Sequence, residues 1–265
     1  MKNPEIIFTD LDRTLLKDDN SLSDRNIETI TELQKRKIIT VIATGRNILS
    51  AKRVLDENLL FDYLLFSSGA GIIDWKSQKV IYENHLVDSE IYSILEILLT
   101  HDVDFMIHKI IPENHRFLFR KTGKSNPDFE RRIEIYRQFA QPLRLPVKMK
   151  KASQFIAVLP ESSEQKFAEI KAELMEMQTI RATSPLDHKS IWLEVLPKGV
   201  SKGHSAEWLC NFLNIDRENS IGIGNDFNDL DLLDWTAESY VVGNSPEELK
   251  NRYQVIKSNE EDGFA

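Results

Sequence analysis

The chain has 265 residues, with 34 Lys and Arg against 42 Asp and Glu, for a net charge of −8. Apolar residues make up 41% and charged residues 29%, the balance of a soluble globular chain long enough to bury one large core or two modest ones. These figures exclude disordered and fibrous classes. A single cysteine, Cys210, excludes a disulfide scaffold, and the acidic excess argues against a general nucleic-acid or membrane-surface binder.

No stretch reaches the ~20 apolar residues that a membrane helix needs. Met1-Lys2-Asn3-Pro4 runs directly into a short apolar strand, without the apolar core and cleavage site of a signal peptide. A cytoplasmic location is expected. Ile6-Ile7-Phe8 predicts a buried strand, and Ser23 caps a helix with Ile27, Ile30 and Leu33 on one face. A strand over residues 38–43, a helix over 47–58 and a strand over 63–66 follow. This alternation with short joins predicts a parallel sheet with helical crossovers. The middle of the chain has a different rhythm. Strands are expected over 104–108, 116–120, 155–159 and 191–196, and helices over 89–100, 128–139 and 162–176. The alternation resumes with a helix over 201–213, a strand over 220–223, a helix over 226–234, a strand over 240–242 and a helix from Pro246 to Asn251. Residues 259–265 either begin a last helix or form a frayed tail. The expected architecture is a doubly wound, Rossmann-like α/β core of residues 1–83 and 190–265, with an α+β insertion of residues 84–189.

Chemistry concentrates at four strand or helix ends. Asp10 and Asp12 stand two apart just after the first strand, at the carboxyl edge where ligand sites of parallel sheets collect. Two such carboxylates suit nucleophilic and proton-transfer roles and a hard divalent cation, although Asp and Thr are also common in ordinary strand-end turns. Thr44-Gly45-Arg46 ends the second strand, either as an anion site at a helix start or as a simple N-cap turn. Lys198 and Lys202 flank another helix start. Lysine opposes the helix dipole there, so an anionic partner accounts for it better than the dipole does, with two solvated lysines as the alternative. Asn225-Asp226-Phe227-Asn228-Asp229 gathers four hard oxygen donors in five positions. Elsewhere, Trp75, Trp192, Trp208 and Trp235 are expected to pack, Lys148 to Lys151 and Glu260 to Asp262 to face solvent, and Cys210 to be a buried inert thiol.

Taken in this order, with the long gap between Thr44 and Lys202, the four segments resemble the haloacid dehalogenase superfamily of phosphohydrolases. The nearest match is its Cof-like branch (type IIB), which carries a large inserted α/β cap. The resemblance implies that Asp10 is the nucleophile, forming an aspartyl-phosphate, and that Asp12 is the general acid and base. It implies that Thr44 and Lys202 hold the transferring phosphoryl group, with Lys198 a weaker candidate for the lysine. Asp10, Asp12, Asn225 and Asp229 would bind Mg²⁺, and Gly45, Arg46 and Asn228 would complete the substrate site. The implied function is Mg²⁺-dependent hydrolysis of a small phosphomonoester, a sugar phosphate or related metabolite, with no nucleic-acid or membrane partner. A phosphotransferase or phosphomutase using the same intermediate, or a weakly active phospholigand-binding protein, are the alternatives. The oligomeric state is left open. Three positions depart from the family pattern: Arg13 replaces a glycine, Asn225 replaces an acid, and Ser68-Gly69-Ala70 stands for Asn-Gly-Ala.

Overall fold

The computed structural model describes residues 4–265, so the expectation for the first three residues lies outside it. The chain starts with β1 (Ile6–Asp10), α1 (Asp24–Lys35), β2 (Ile39–Ala43), α2 (Ile48–Ala51), β3 (Tyr63–Phe66), β4 (Gly71–Asp74) and β5 (Lys79–Glu83). An inserted run follows: β6 (Leu86–Val87), α3 (Asp88–Thr100), β7 (Asp104–His108), β8 (Phe117–Arg120), α4 (Pro127–Ile135), β9 (Ala140–Pro142), β10 (Lys151–Ala152), β11 (Gln154–Leu159), α5 (Glu164–Glu173), β12 (Gln178–Thr183) and β13 (Ile191–Leu196). The chain closes with α6 (Lys202–Leu213), β14 (Ser220–Gly224), α7 (Leu230–Trp235), β15 (Glu238–Val242), α8 (Glu247–Lys250) and β16 (Gln254–Ile256).

Two compact units result, one from the residues up to Tyr82 together with Ser201–Ala265, the other from Glu83–Val200. The first is built on an eight-stranded sheet in the order β16-β15-β14-β1-β2-β3-β4-β5. Its six strands from β16 to β3 are parallel, and β4 turns back antiparallel to β3. Central parallel strands are covered on both faces, which is why β1 is an unbroken buried run rather than an alternating one. Ile6, Phe8, Val41 and Leu65 pack with Ala206, Leu209 and Cys210 of α6. Cys210 is buried, and its thiol is pushed up to about 12 by that burial, as befits an inert side chain.

The second unit carries a six-stranded sheet, β12-β13-β11-β7-β8-β9. Phe105, Ile107, Phe155 and Leu193 face the α3 and α5 side, where Ile91, Ile94 and Ile170 cover them. Met106, Ile156 and Trp192 face the opposite way, with Phe129 and Tyr136 from α4 and its end.

Several expectations need correction. The second domain boundary, expected at residue 190, lies near Val200: β13 pairs antiparallel with both β11 and β12, so residues 191–196 belong to the inserted sheet. The helix expected over 47–58 lasts only one turn, after which the Arg53 and Val54 N–H groups donate three residues back, to Ser50 and Ala51, and the chain leaves the α-helical ladder. The C-terminal residues are not frayed, and the helix they begin is a single 3₁₀ turn over Asn259–Glu261. Asn259 is buried in a one-turn 3₁₀ segment, with its side chain donating to the Leu16 carbonyl. Among the described residues, no helix is long and apolar enough to cross a membrane.

His108 gives the second unit a measurable pH response. Its Nδ1 lies 2.7 Å from the Asn114 carbonyl, which can only accept, so Nδ1 carries the proton of a neutral ring. Burial, reinforced by the charge of Arg132, lowers its pKa to about 3. Below the ordinary value of 6.5 the unfolded chain takes up a proton that the native ring refuses, so stability falls with falling pH. Urea unfolding between pH 6.5 and 5 should show a loss of up to about 1.4 kcal/mol per pH unit that His108→Gln lacks. Parallel slopes for the two proteins would contradict this assignment.

Candidate active site

The first sheet winds outward from β1 in both directions, through β2 and β3 on one side and β14, β15 and β16 on the other. Where the winding reverses, the loops at the carboxyl ends of the strands part and leave a crevice. Parallel pairing brings three loops to that edge. Asp10 closes β1 opposite Ala43 of β2, Thr44 follows one residue later, and Asn225 follows β14.

The lysine at the start of α6 binds these loops together. Lys202 is fully buried, with its Nζ 2.7 Å from Asp10 Oδ1 and 2.5 Å from Asp229 Oδ1. The other oxygen of Asp229 accepts from the backbone N–H groups of Asn225 and Asp226 at 2.8 and 3.1 Å. The anionic partner that the position of Lys202 called for is therefore the protein's own pair of acids. Burial pulls the ammonium toward neutrality, but the charges of Asp10 and Asp229 more than offset that and keep it protonated. Asp10 is pushed up to about 7, chiefly by burial. Lys202 opposes that rise, while Asp229 and Asp12 add to it.

Two glycines permit this spacing. A Cβ on Gly224 would stand 2.6 Å from Asp229 Cβ, so only glycine lets the strand end pass the acid. Gly69 has φ +98°, and a Cβ there would lie 2.3 Å from the Ser201 carbonyl oxygen at the start of α6. Its own carbonyl accepts from Ser205 Oγ at 2.6 Å, which fixes the first turn of α6 from the other side. Asp231 of α7 accepts from the Gly203 N–H at 3.0 Å, and Ser201 caps the helix through the His204 N–H. Neither Asp231 nor Ser201 was singled out from the sequence. Serine ahead of a helix is a readable cap signal, whereas the contact from Asp231 depends on tertiary packing.

The remaining candidates divide. Arg46 is committed to Asp12: its Nε lies 2.9 Å from both carboxylate oxygens and its Nη2 lies 2.5 Å from Oδ1. Asn20 and Ser50 hold the same guanidinium, at 2.6 and 3.3–3.4 Å. Thr44 is buried, and its Oγ accepts from the Arg46 N–H at 3.0 Å across Gly45, which leaves the hydroxyl hydrogen to donate. Asn228 lies half-buried in the one-turn segment Phe227–Asp229. Lys198 is not part of the cluster, since its Nζ pairs with exposed Glu176 at 3.3 Å in the inserted unit. Asp229, expected as a metal ligand, has both oxygens engaged and instead anchors Lys202 and the 225–226 turn.

Arg13 sits at φ 59°, ψ 21°, a left-handed conformation that costs a non-glycine residue about 1 kcal/mol. Its carbonyl accepts from Asn244 Nδ2 at 2.9 Å, and its Nε pairs with Asp18 at 3.0 Å. The side chain is thus spent on the loop's own closure.

Lys202→Met would leave Asp10 and Asp229 as buried, unpaired acids. The expected cost is about 3–5 kcal/mol in urea unfolding at neutral pH. Lys35→Met breaks the exposed Lys35–Glu32 pair, which solvent screens, and should shift unfolding far less. Equal losses in the two variants would contradict the central role of Lys202.

Residues 7–265 match the family described as haloacid dehalogenase-like hydrolase. The chain is 26% identical over 267 residues to the HMP-PP phosphatase of Yersinia pseudotuberculosis, covering 97% of this chain and 91% of that protein. Its fold is similar to the haloalkanoate-superfamily phosphatase BT1666 of Bacteroides thetaiotaomicron, with a TM-score of 0.80 at 18% identity, covering 99% and 92% of the two chains. It is also similar to the subclass IIB sugar phosphatase BT4131, with a TM-score of 0.75 at 20% identity and coverage of 98% and 95%. With the family matched over nearly its whole length, the chain belongs to the haloacid dehalogenase-like hydrolases and is a phosphatase-type enzyme.

Proposed function

We propose that this enzyme hydrolyses a small phosphomonoester, of the sugar-phosphate or related metabolite class, with Asp10 accepting the phosphoryl group. The observation that carries the reading is the buried Lys202 held between Asp10 and Asp229 at the switch point of the sheet. It fixes a carboxylate and a cation side by side where a phosphate ester would enter, which suits phosphoryl transfer because that reaction depends on positioning and charge neutralisation. The relatives named HMP-PP phosphatase and sugar phosphatase support a small phosphorylated metabolite as the substrate.

In this proposal a carboxylate oxygen of Asp10 forms a bond to phosphorus as the bond to the ester oxygen breaks. The departing oxygen takes its proton from Asp12. Water then attacks the same phosphorus, gives a proton to Asp12, and releases phosphate while Asp10 recovers its carboxylate. Thr44 donates its hydroxyl hydrogen to a phosphoryl oxygen, and Lys202 balances the charge that accumulates beside Asp10. Asn228 and the amide of Gly45 take further phosphoryl oxygens. Arg46 grips Asp12 with both oxygens paired, so protonation of Asp12 requires one of those bonds to loosen as substrate enters.

The donors suit Mg²⁺ in kind. They are hard oxygens, and among the described residues no three His, Cys, Asp or Glu side chains are grouped so as to hold a metal ion by themselves, so water and phosphate oxygens would have to complete the coordination. Mg²⁺ commonly takes one or two carboxylates and keeps its other positions for water and phosphate. Asp10, the Asp12 carbonyl and the Asn225 carboxamide would hold it, with Asp229 acting behind them. When bound, the ion would supply Lewis-acid neutralisation of the phosphate and relieve its repulsion from Asp10.

Phosphate release from a generic aryl phosphate and a panel of metabolite phosphates tests the proposal. Release should require Mg²⁺, stop with chelator, and fall by at least about 10³-fold in Asp10→Asn, which is nearly isosteric and should still fold. Unchanged turnover in Asp10→Asn would remove it as nucleophile. Asn225→Asp restores a charge and should tighten Mg²⁺ binding several-fold by calorimetric titration. Weaker binding in that variant would exclude Asn225 as a donor.

A further inference from the structure

β5 is the outer strand of the eight-stranded sheet, opposite the β16 edge. Edges that stay single are commonly protected by shortness, proline, bulges or charged side chains, and a charge at the strand's centre protects more of the edge than charges at its ends. Lys79-Val80-Ile81-Tyr82-Glu83 has no proline and no central charge: its centre is apolar, and its two charges stand at opposite ends with opposite signs. Val80, Ile81 and Tyr82 are only partly buried. Beside this edge, on the face covered by α6, the Tyr82 ring lies 4.8 Å from Trp208, which stacks at 5.2 Å on Phe212. Phe212 is 55% exposed, although large aromatics of this kind are more typical of the buried parts of interfaces than of open surface. The opposite edge, β16, is three residues long and carries no charge.

We propose that β5 pairs antiparallel with β5 of a second copy of this chain, about a two-fold axis through Ile81. That register sets Lys79 against the second copy's Glu83 twice, Val80 against Tyr82, and Ile81 against its counterpart. Parallel pairing would set lysine against lysine, and a one-residue slip would break both ion pairs. Side chains two apart share a face, so the second copy's Val80 arrives beside Tyr82 and Trp208 and extends the aromatic strip across the axis. Backbone hydrogen bonds hold the two sheets as one, and the end charges select the register. The pairing is independent of the proposed phosphatase chemistry.

Light scattering and sedimentation velocity on the full chain across the micromolar range test it. The mass should rise from 30.7 kDa toward twice that value with concentration. Lys79→Glu sets acid against acid in both pairs and should weaken dimerisation by about tenfold or more, whereas Lys79→Glu combined with Glu83→Lys should restore it. Circular dichroism identifies any variant that has lost its fold. A wild-type monomer at every concentration would overturn the pairing. So would a dimer unaffected by Lys79→Glu, or a double exchange that fails to restore association.

Discussion

A buried ammonium between two carboxylates is the constraint on which the rest of the catalytic unit depends. Lys202, Asp10 and Asp229 come from a helix start, a strand end and a tight turn. Removing three charges from water costs several kcal/mol per ion, and only short contacts with the remaining hydrogen bonds satisfied offset it. The surroundings meet that demand. Backbone N–H groups satisfy the far oxygen of Asp229, and Gly224 removes the Cβ that would otherwise push the acid away. Gly69 and Asp231 fix the first turn of α6 from two sides, so the lysine's stem cannot drift. The arrangement leaves Asp10 as the partly uncompensated member, with its carboxyl pushed up by burial and by neighbouring acids. The proposed use of a further cation beside an incoming phosphate rests on that imbalance.

The sheet's topology turns this local chemistry into a site. Because β1 sits between β14 and β2, the loops bearing Asp10, Thr44 and Asn225 share one edge. Loops of that kind can carry chemistry because the strands beneath them are rigid and buried on both faces. The clamp of Arg46 on Asp12 adds a second layer. It orients the carboxylate proposed for proton transfer, and it ties the β2 loop to the β1 loop.

Much of the architecture was legible in the sequence because parallel strands buried on both faces appear as unbroken apolar runs. Ile6–Phe8, Val41–Ala43 and Tyr63–Phe66 carry that mark, whereas Ser220–Gly224 shows only two isoleucines among small residues. The same mark misled at β13. Apolarity reports burial but not which sheet buries it, so residues 191–196 stand among the middle strands while a boundary at 190 cuts them off from β11 and β12, with which they pair. β12 escaped notice because Arg181 and the threonines break its apolar pattern. At the site, the residue types at positions 10, 12, 44, 202 and 229 were readable from chemistry and order. Their pairing was not. Lys202 and Asp10 are 192 residues apart in sequence, and only the fold shows that Asp229 holds the lysine while Arg46 holds Asp12. Arg13 shows the converse case, in which a departure that sequence alone leaves ambiguous resolves into a left-handed turn closed by Asp18 and Asn244.

The central claim is that Asp10 carries the phosphoryl group during turnover. Its most direct test is chemical trapping: the enzyme is quenched during steady-state turnover of an active phosphomonoester and reduced with borohydride, and the peptide containing residue 10 is weighed. Borohydride reduces an acyl phosphate to the alcohol, so the account predicts that residue 10 is recovered partly as homoserine, only when substrate and Mg²⁺ are both present. Turnover at full rate with Asp10 recovered unmodified, or with the label on another residue, would contradict it.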